Sequence, residues 1–461
     1  MRSSRTSSSA RRRFLGAAAA CGALVPTLGA QAQPGAATTA GQTRLALLMG
    51  NRNYPTPFDL PPIPKNVHDV DQALQARGFE VSNGLDLDPA AARQMLDAFV
   101  EKVKHSPDDA VVFFYFSGHG VQVDASNLLL PAGLNPSASS DTLLKGSVQL
   151  LRDVILRMPE RQNGMTIAVV DACRTSLKAT IGGTDEGLNQ VEAPPGCLIA
   201  FSTGAGRPAI APAVDTLNTF YTGSLVKVMN SLSGEVTFSD LFRLVKVDVE
   251  RTMSNHPVEA IRKLTQRPFI AENTKVRVPL ALRAAAPEAA ASGADAGNED
   301  ADWAAIEASN WPHEIVQLTE SFLKAFPKGR FNASAQVAHD GAEEAVRTLK
   351  RSDVRLYKSA FQPQADAGAD VRRDVYRAAR GDKDAAARLG RRAMAEGSTP
   401  AATSRYEGWL QYATSLGNGI AAYELALHYR GREQPLLAGQ FEARARELGY
   451  NPPPTLDNVR K

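Results

Sequence analysis

The chain has 461 residues, 43% of them hydrophobic and 22% charged, and its formal net charge is only +3. These proportions exclude a disordered or fibrous chain and predict a soluble globular protein of two or three domains. Part of the positive charge is Arg11, Arg12 and Arg13, so composition gives no case for nucleic acid as a partner.

Residues 1–32 read as an address label. "SSARRRFLGAAAACGALVPTLGAQAQ" has a charged start, a short apolar stretch and small residues after it. The stretch is too short and alanine-rich for a comfortable membrane span, so no stable span is expected once it is removed. Arg11-Arg12-Arg13-Phe14-Leu15 resembles a twin-arginine export signal, and Ala30-Gln31-Ala32 offers a cleavage site leaving Gln33 first. The expectation is a periplasmic or secreted bacterial protein, with lipid anchoring at Cys21 as the less favoured alternative. Removing the signal leaves Cys173 and Cys197, too few for a disulfide scaffold.

From 43 to 278 short β-type runs alternate with helical stretches. "RLALLMG" precedes a helix predicted from Asn66 to Arg77, and "GFEVSN" follows it. Asp88-Pro89 then supplies a cap and a first-turn proline for a helix carrying Met95, Phe99 and Val103. Next come "AVVFFYF", a helix predicted near Val148 to Met158, "MTIAVVD" and "CLIAFST". Helices are expected around Phe220 to Asn230 and Phe238 to Met253. Continuous apolar strands separated by helices imply an α/β fold, with a mostly parallel sheet covered on both faces. Functional residues of such sheets gather at the C-terminal strand ends.

Residues 279–302, Ala/Gly/acid-rich, read as a flexible linker. Beyond it, 303–350 reads as helical, with Ile315, Leu318, Phe322 and Phe326 as an apolar stripe. Residues 372–450 echo themselves: "AAARLGRRAMAEG" against "AAYELALHYRGRE" at an offset of 36, and "WLQYATSLG" against "FEARARELG" at 32. The periods suit paired-helix repeats and resemble tetratricopeptide-type repeats of the Sel family, which would offer a surface to a protein partner.

Two strand ends carry the chemistry. "VVFFYFSGHGVQV" is an apolar run that reaches His119 between Gly118 and Gly120, where the strand is expected to leave the sheet. The glycines permit a sharp turn and close approach of another group. "MTIAVVDACRTSL" ends in Asp171 and Cys173, which alternate onto one face if the strand stays extended. A reactive cysteine needs its thiolate, and a neighbouring histidine can take the proton or stabilise the anion. Each residue alone also has a plain structural reading, as a loop histidine or a buried thiol.

"YFSGHG" followed some fifty residues later by "DACR" resembles the caspase-like cysteine peptidases, in particular the metacaspase and paracaspase branches. "LALLMGNRNYP", "GFEV", "NLLLPAGLNP", "PPGCLIAFSTGAGRPA" and "NTFYTGSLVKVM" extend the likeness across the first domain. The resemblance implies a caspase-like fold and peptide-bond hydrolysis, with Cys173 as nucleophile and His119 as general acid/base. The N–H groups of Gly120 and Cys173 would form the oxyanion hole. No metal or other cofactor enters such chemistry, and calcium dependence is left open. Asp171, two residues before the cysteine, would line the specificity pocket and select Arg or Lys before the scissile bond. A second pocket residue is expected in "KNVHDVD". Asn66 falls at the acid position counted back from Gly78, and Asp69 lies three residues away.

His68 and His105 lack metal-ligand spacing and read as surface residues. Cys197 reads as core, and Asn51 and Tyr54 as structural. A catalytically silent caspase-like scaffold, acting through its helical repeats, is the rival to an exported cysteine endopeptidase.

Overall fold

A computed structural model describes residues 41–123, 126–176, 189–204, 209–264, 266–281 and 293–452, and the side chains of 173–176 and 293–297 lie outside that description. Residues 1–32, expected to be an export signal, also lie outside the described residues, Cys21 included. In chain order the first part comprises β1 (Arg44–Gly50), α1 (Ile63–Gln75), β2 (Glu80–Leu85), α2 (Pro89–Lys104), β3 (Val111–Val123) and β4 (Ser126–Leu129). There follow α3 (Ser140–Gly146), β5 (Val148–Gln149), β6 (Met165–Ser176), β7 (Cys197–Phe201), α4 (Phe220–Ser231), α5 (Phe238–Ser254), α6 (Glu259–Leu264) and β8 (Phe269–Glu272).

The main path of the sheet runs β2-β1-β3-β6-β7-β8, parallel except for β8, which is antiparallel to β7; off this path β4 pairs antiparallel with β3 and with β5. Strand alternation divides its side chains between two cores. Phe113 and Tyr115 pack with Val67, Leu225 and Phe242 on one face. Val112, Phe114 and Phe116 pack with Leu96, Val100 and Val154 on the other. Both faces of β1 and β3 are thereby dry, which is why these strands read as unbroken apolar runs.

Local chemistry sets the helix starts. Asp88 accepts hydrogen bonds from the N–H groups of Ala90 and Ala91 at 2.9 and 2.8 Å, starting α2 where its cap signal predicts. α1 begins three residues earlier than expected, because prolines are tolerated in a first turn whose N–H groups have no intrahelical acceptor. The regular helix expected near 148–158 is replaced by β5, a π-turn over Leu150–Val154 and a 3₁₀ turn over Ile155–Arg157. Two forces account for it: β5 pairs with β4, and the Asp153 carboxylate takes the Gln149 N–H at 2.8 Å.

The strand end at "SGHG" also needs correction. β3 does not leave the sheet there; it continues to Val123, held by β6 on one side and β4 on the other. The linker reading of 279–302 fails at both ends. Leu280 is buried in the core, its N–H donating to Val236 O at 2.8 Å. The buried Arg44 guanidinium donates to Leu280 O at 2.7 Å and Pro279 O at 2.8 Å. At the other end a helix, α7 (Gly293–Ala308), has already begun. Residues 282–292 lie outside the described residues.

The remaining helices are α8 (Pro312–Ala325), α9 (Asn332–Leu349), α10 (Ala369–Ala378), α11 (Lys383–Ala395), α12 (Pro400–Ser415), α13 (Gly419–Gly431) and α14 (Pro435–Glu447). Their core of Ala, Leu and aromatic side chains runs from Ile315 to Ala438. α11 lies against the β8 edge, where Lys383 Nζ donates to Ile270 O, Arg388 Nη1 donates to Glu272 O, and the Asp384 carboxylate accepts from Glu272 N. An edge strand's outward backbone groups are thus taken by side chains of a covering helix. Among the described residues no helix is long and apolar enough to cross a membrane.

Candidate active site

β3 and β6 run side by side in register, Ser117 opposite Asp171, His119 opposite Cys173, and Gly120 opposite Arg174. The two residues singled out for nucleophilic chemistry are therefore backbone neighbours in adjacent central strands. The Cys173 side chain lies outside the described residues.

The His119 imidazole is fixed from the turn that follows β1. Its Nε2 lies 2.7 Å from Phe58 O. A carbonyl oxygen only accepts, so Nε2 carries the hydrogen and Nδ1 presents a lone pair. Tyr54 meets the ring edge-on at 4.5 Å between centroids, and its hydroxyl receives the His119 N–H at 3.1 Å while donating to Leu130 O at 2.8 Å. Gly118 is required by this contact, because a Cβ there would sit 2.7 Å from the Tyr54 hydroxyl. Burial lowers the His119 pKa, opposed only by the hydrogen bond to Phe58. The ring is thus a neutral base near pH 7. Gly120, expected to expose its N–H at a strand exit, lies buried inside the β3 ladder opposite Leu129 and Arg174.

Asp171 is also placed differently from a pocket-lining acid. It is only 3% exposed; its carboxylate accepts from the hydroxyls of Thr219 and Thr222, the latter at 2.6 Å. The cover is Thr219, which caps α4 and stands between Asp171 and Asn66. Asn66 donates to Ser117 Oγ at 3.1 Å and accepts from the Thr219 N–H at 3.1 Å. Asn66 and Asp171 therefore belong to one buried cluster. Asp69 does not: it pairs with Lys65 at 2.7 Å, four residues back on α1. Burial raises the Asp171 pKa, and the hydroxyls of Thr219 and Thr222 offset part of the rise. Among the described residues no lysine or arginine pairs with it.

The other candidates separate cleanly. Cys197 is buried opposite Thr166, seven residues along β6 from Cys173, or roughly 23 Å at strand rise. Burial pushes its thiol up to about 12, leaving it an inert core group. His68 and His105 are exposed. Among the described residues no three His, Cys, Asp or Glu side chains converge as metal ligands. Sequence reasoning missed Phe58, which acts through its backbone and leaves no side-chain signal. It also missed Thr219, which was legible only as a helix cap, and gave Tyr54 a purely structural place.

The family model for the caspase domain matches residues 43–277, just over half the chain. The chain belongs to the caspase-domain family. It therefore contains a cysteine peptidase domain, on a mostly parallel sheet flanked by helices, with proteins or peptides as the implied substrates. Among solved structures, caspase-1 from Spodoptera frugiperda is similar at 15% identity and a TM-score of 0.39, over 52% of this chain and 90% of that one. No curated protein matches.

Proposed function

We propose that this caspase-domain protein is an exported cysteine endopeptidase that cleaves after Arg or Lys through a Cys173–His119 dyad. The observation that carries the reading is the placement of His119: backbone-paired with Cys173, and tethered through Nε2 so that Nδ1 is the free base. The Cys173 proton passes to Nδ1, and the thiolate attacks the scissile carbonyl to form the C–S bond. The oxyanion takes a hydrogen bond from the Cys173 N–H, whereas the Gly120 N–H lies inside the β3 ladder. The C–N bond breaks as His119 returns the proton to the departing amine, and water, deprotonated by His119, then hydrolyses the thioester.

Asp171 supports basic specificity because its buried carboxylate is met by hydroxyls and, among the described residues, by no cation. An Arg or Lys side chain displacing the Thr219 hydroxyl would supply the missing counter-charge. Asn66 belongs to the same buried cluster as a neutral group, which gives one carboxylate rather than two. No cofactor is assigned to the chemistry. We further propose export of the chain by the twin-arginine route, and partner binding by the Sel-like helices. A reporter fused after residue 40 that stays cytoplasmic would overturn the export assignment.

The test is hydrolysis of fluorogenic peptides with Arg, Lys, Asp or Ala before the scissile bond, with and without calcium, beside Cys173→Ala. Cleavage confined to Arg and Lys peptides and lost in the variant is expected. Silence with every peptide from reduced, folded protein favours the scaffold reading instead.

A further inference from the structure

The helical C-terminal part touches the peptidase domain at a second place, linked to the β8 edge through Asn418, whose Nδ2 donates to Asp384 at 3.0 Å. Residues 189–192 return toward β7 along a path lined by amides. The backbone of Asn189 is paired with the Asn127 side chain on β4: its N–H donates to Asn127 Oδ1 at 3.1 Å, and its carbonyl accepts from Asn127 Nδ2 at 3.4 Å. The side chain of the same Asn189 makes the equivalent pair with the backbone of Asn451, donating to its carbonyl at 2.9 Å and accepting its N–H at 3.1 Å. Beside it, Gln190 Nε2 donates to Leu448 O at 2.6 Å and Gly417 O at 3.3 Å, and Gln190 Oε1 accepts from Gly419 N at 2.9 Å. Asn127, Asn189 and Gln190 are all buried. One step further, Arg391 of α11 pairs with Glu192.

We infer that the C-terminal helices position the catalytic hairpin, with Asn189 and Gln190 as the positioning residues. β4 has only four residues, and its own ladder partners are β3 and the two-residue β5. At one end it is tied to the site, because Leu130 N donates to His119 O at 3.0 Å and Leu130 O accepts from Tyr54 and Asn51. At the other end Asn127, opposite Gln122 of β3, is held by Asn189. The amide pairs thus connect the ends of α12, α13 and α14 to the strand pair that carries His119. Buried amides have no water to fall back on. Removing the Gln190 side chain leaves two carbonyls and one N–H unpaired inside the contact, which loosens it at that point.

The inference rests on His119 being catalytic only for its kinetic part, so two readouts are used on the full chain. In hydrogen–deuterium exchange, Gln190→Ala and Asn189→Ala are expected to speed exchange of the 119–130 amides at least about fivefold. Lys383→Ala, which disturbs the same two parts at the β8 edge, should leave those amides unchanged. In peptide hydrolysis both clamp variants are expected to lower kcat about tenfold with KM within about twofold, while Lys383→Ala keeps the parental kcat. Unchanged exchange at 119–130 in both clamp variants overturns the inference, as does equal acceleration in Lys383→Ala. An inactive parent enzyme refutes the dyad reading alone, because the exchange result still decides the coupling.

Discussion

At the scale of single residues, two shifted titrations give the site its pH behaviour. The folded His119 pKa lies below its unfolded value of about 6.5, so the folded chain binds fewer protons there. The contribution of His119 to stability is present above that value and is lost as pH falls through it toward the folded pKa. The acid limb of kcat/KM should accordingly lie below about pH 6.5, and a pH–rate profile with its midpoint above that would refute the neutral, Phe58-tethered imidazole. Asp171 runs in the opposite sense. Its folded pKa is raised, so stability declines as pH rises from about 3.9 toward the folded value. Asp171→Asn should keep or raise the melting temperature at pH 7 while lowering cleavage after Arg and Lys about tenfold or more. A variant that melts lower and keeps basic specificity would mean that the carboxylate is a structural group.

At the scale of elements, the hairpin that carries His119 depends on a glycine. Gly118→Ala must push the Tyr54 hydroxyl away from 2.7 Å, at a cost of about 1–3 kcal/mol. Tyr54→Phe loses only hydrogen bonds, about 1 kcal/mol. Denaturant titration should rank the two in that order, and the reverse order would show that the contact is loose. The strands and most helices were legible because both-face burial and the Asp88 cap write themselves into composition and spacing. The full length of β3 was not, because "SGHG" carries turn-forming glycines whose purpose here is close approach by Tyr54. The cover over Asp171 was not legible either, since Thr219 reads as an ordinary cap and its second hydrogen bond spans 48 residues. Within the helices, Asp382 and Asn418 cap α11 and α13 after the positive-φ Gly381 and Gly417. Those caps stand at the same 36-residue offset as the sequence echo.

At the scale of the whole molecule, the two parts are joined through buried charge. Glu272 at the end of β8 meets Arg377 at 2.8 Å and Arg243 at 3.0 Å, and Arg377 also meets Asp382 at 2.7 Å. Burial alone would raise both acids, but Arg377 and its neighbours outweigh it and hold them below the usual carboxylate range. Depressed carboxylates stabilise the fold above their unfolded pKa of about 4, and that stability is lost as pH falls further. The junction therefore holds across the neutral range and weakens only in acid. Removing its central cation is more severe than acid, because two carboxylates are left buried at pH 7. Arg377→Ala should cost about 3–5 kcal/mol. The loss should appear first at the junction, as faster hydrogen exchange in β8 and α11 than in β1 or β3, since the central strands keep their own two cores. Arg377→Ala melting with the parent, or losing protection uniformly across the sheet, would show that apolar packing rather than this charge cluster joins the helices to the peptidase domain.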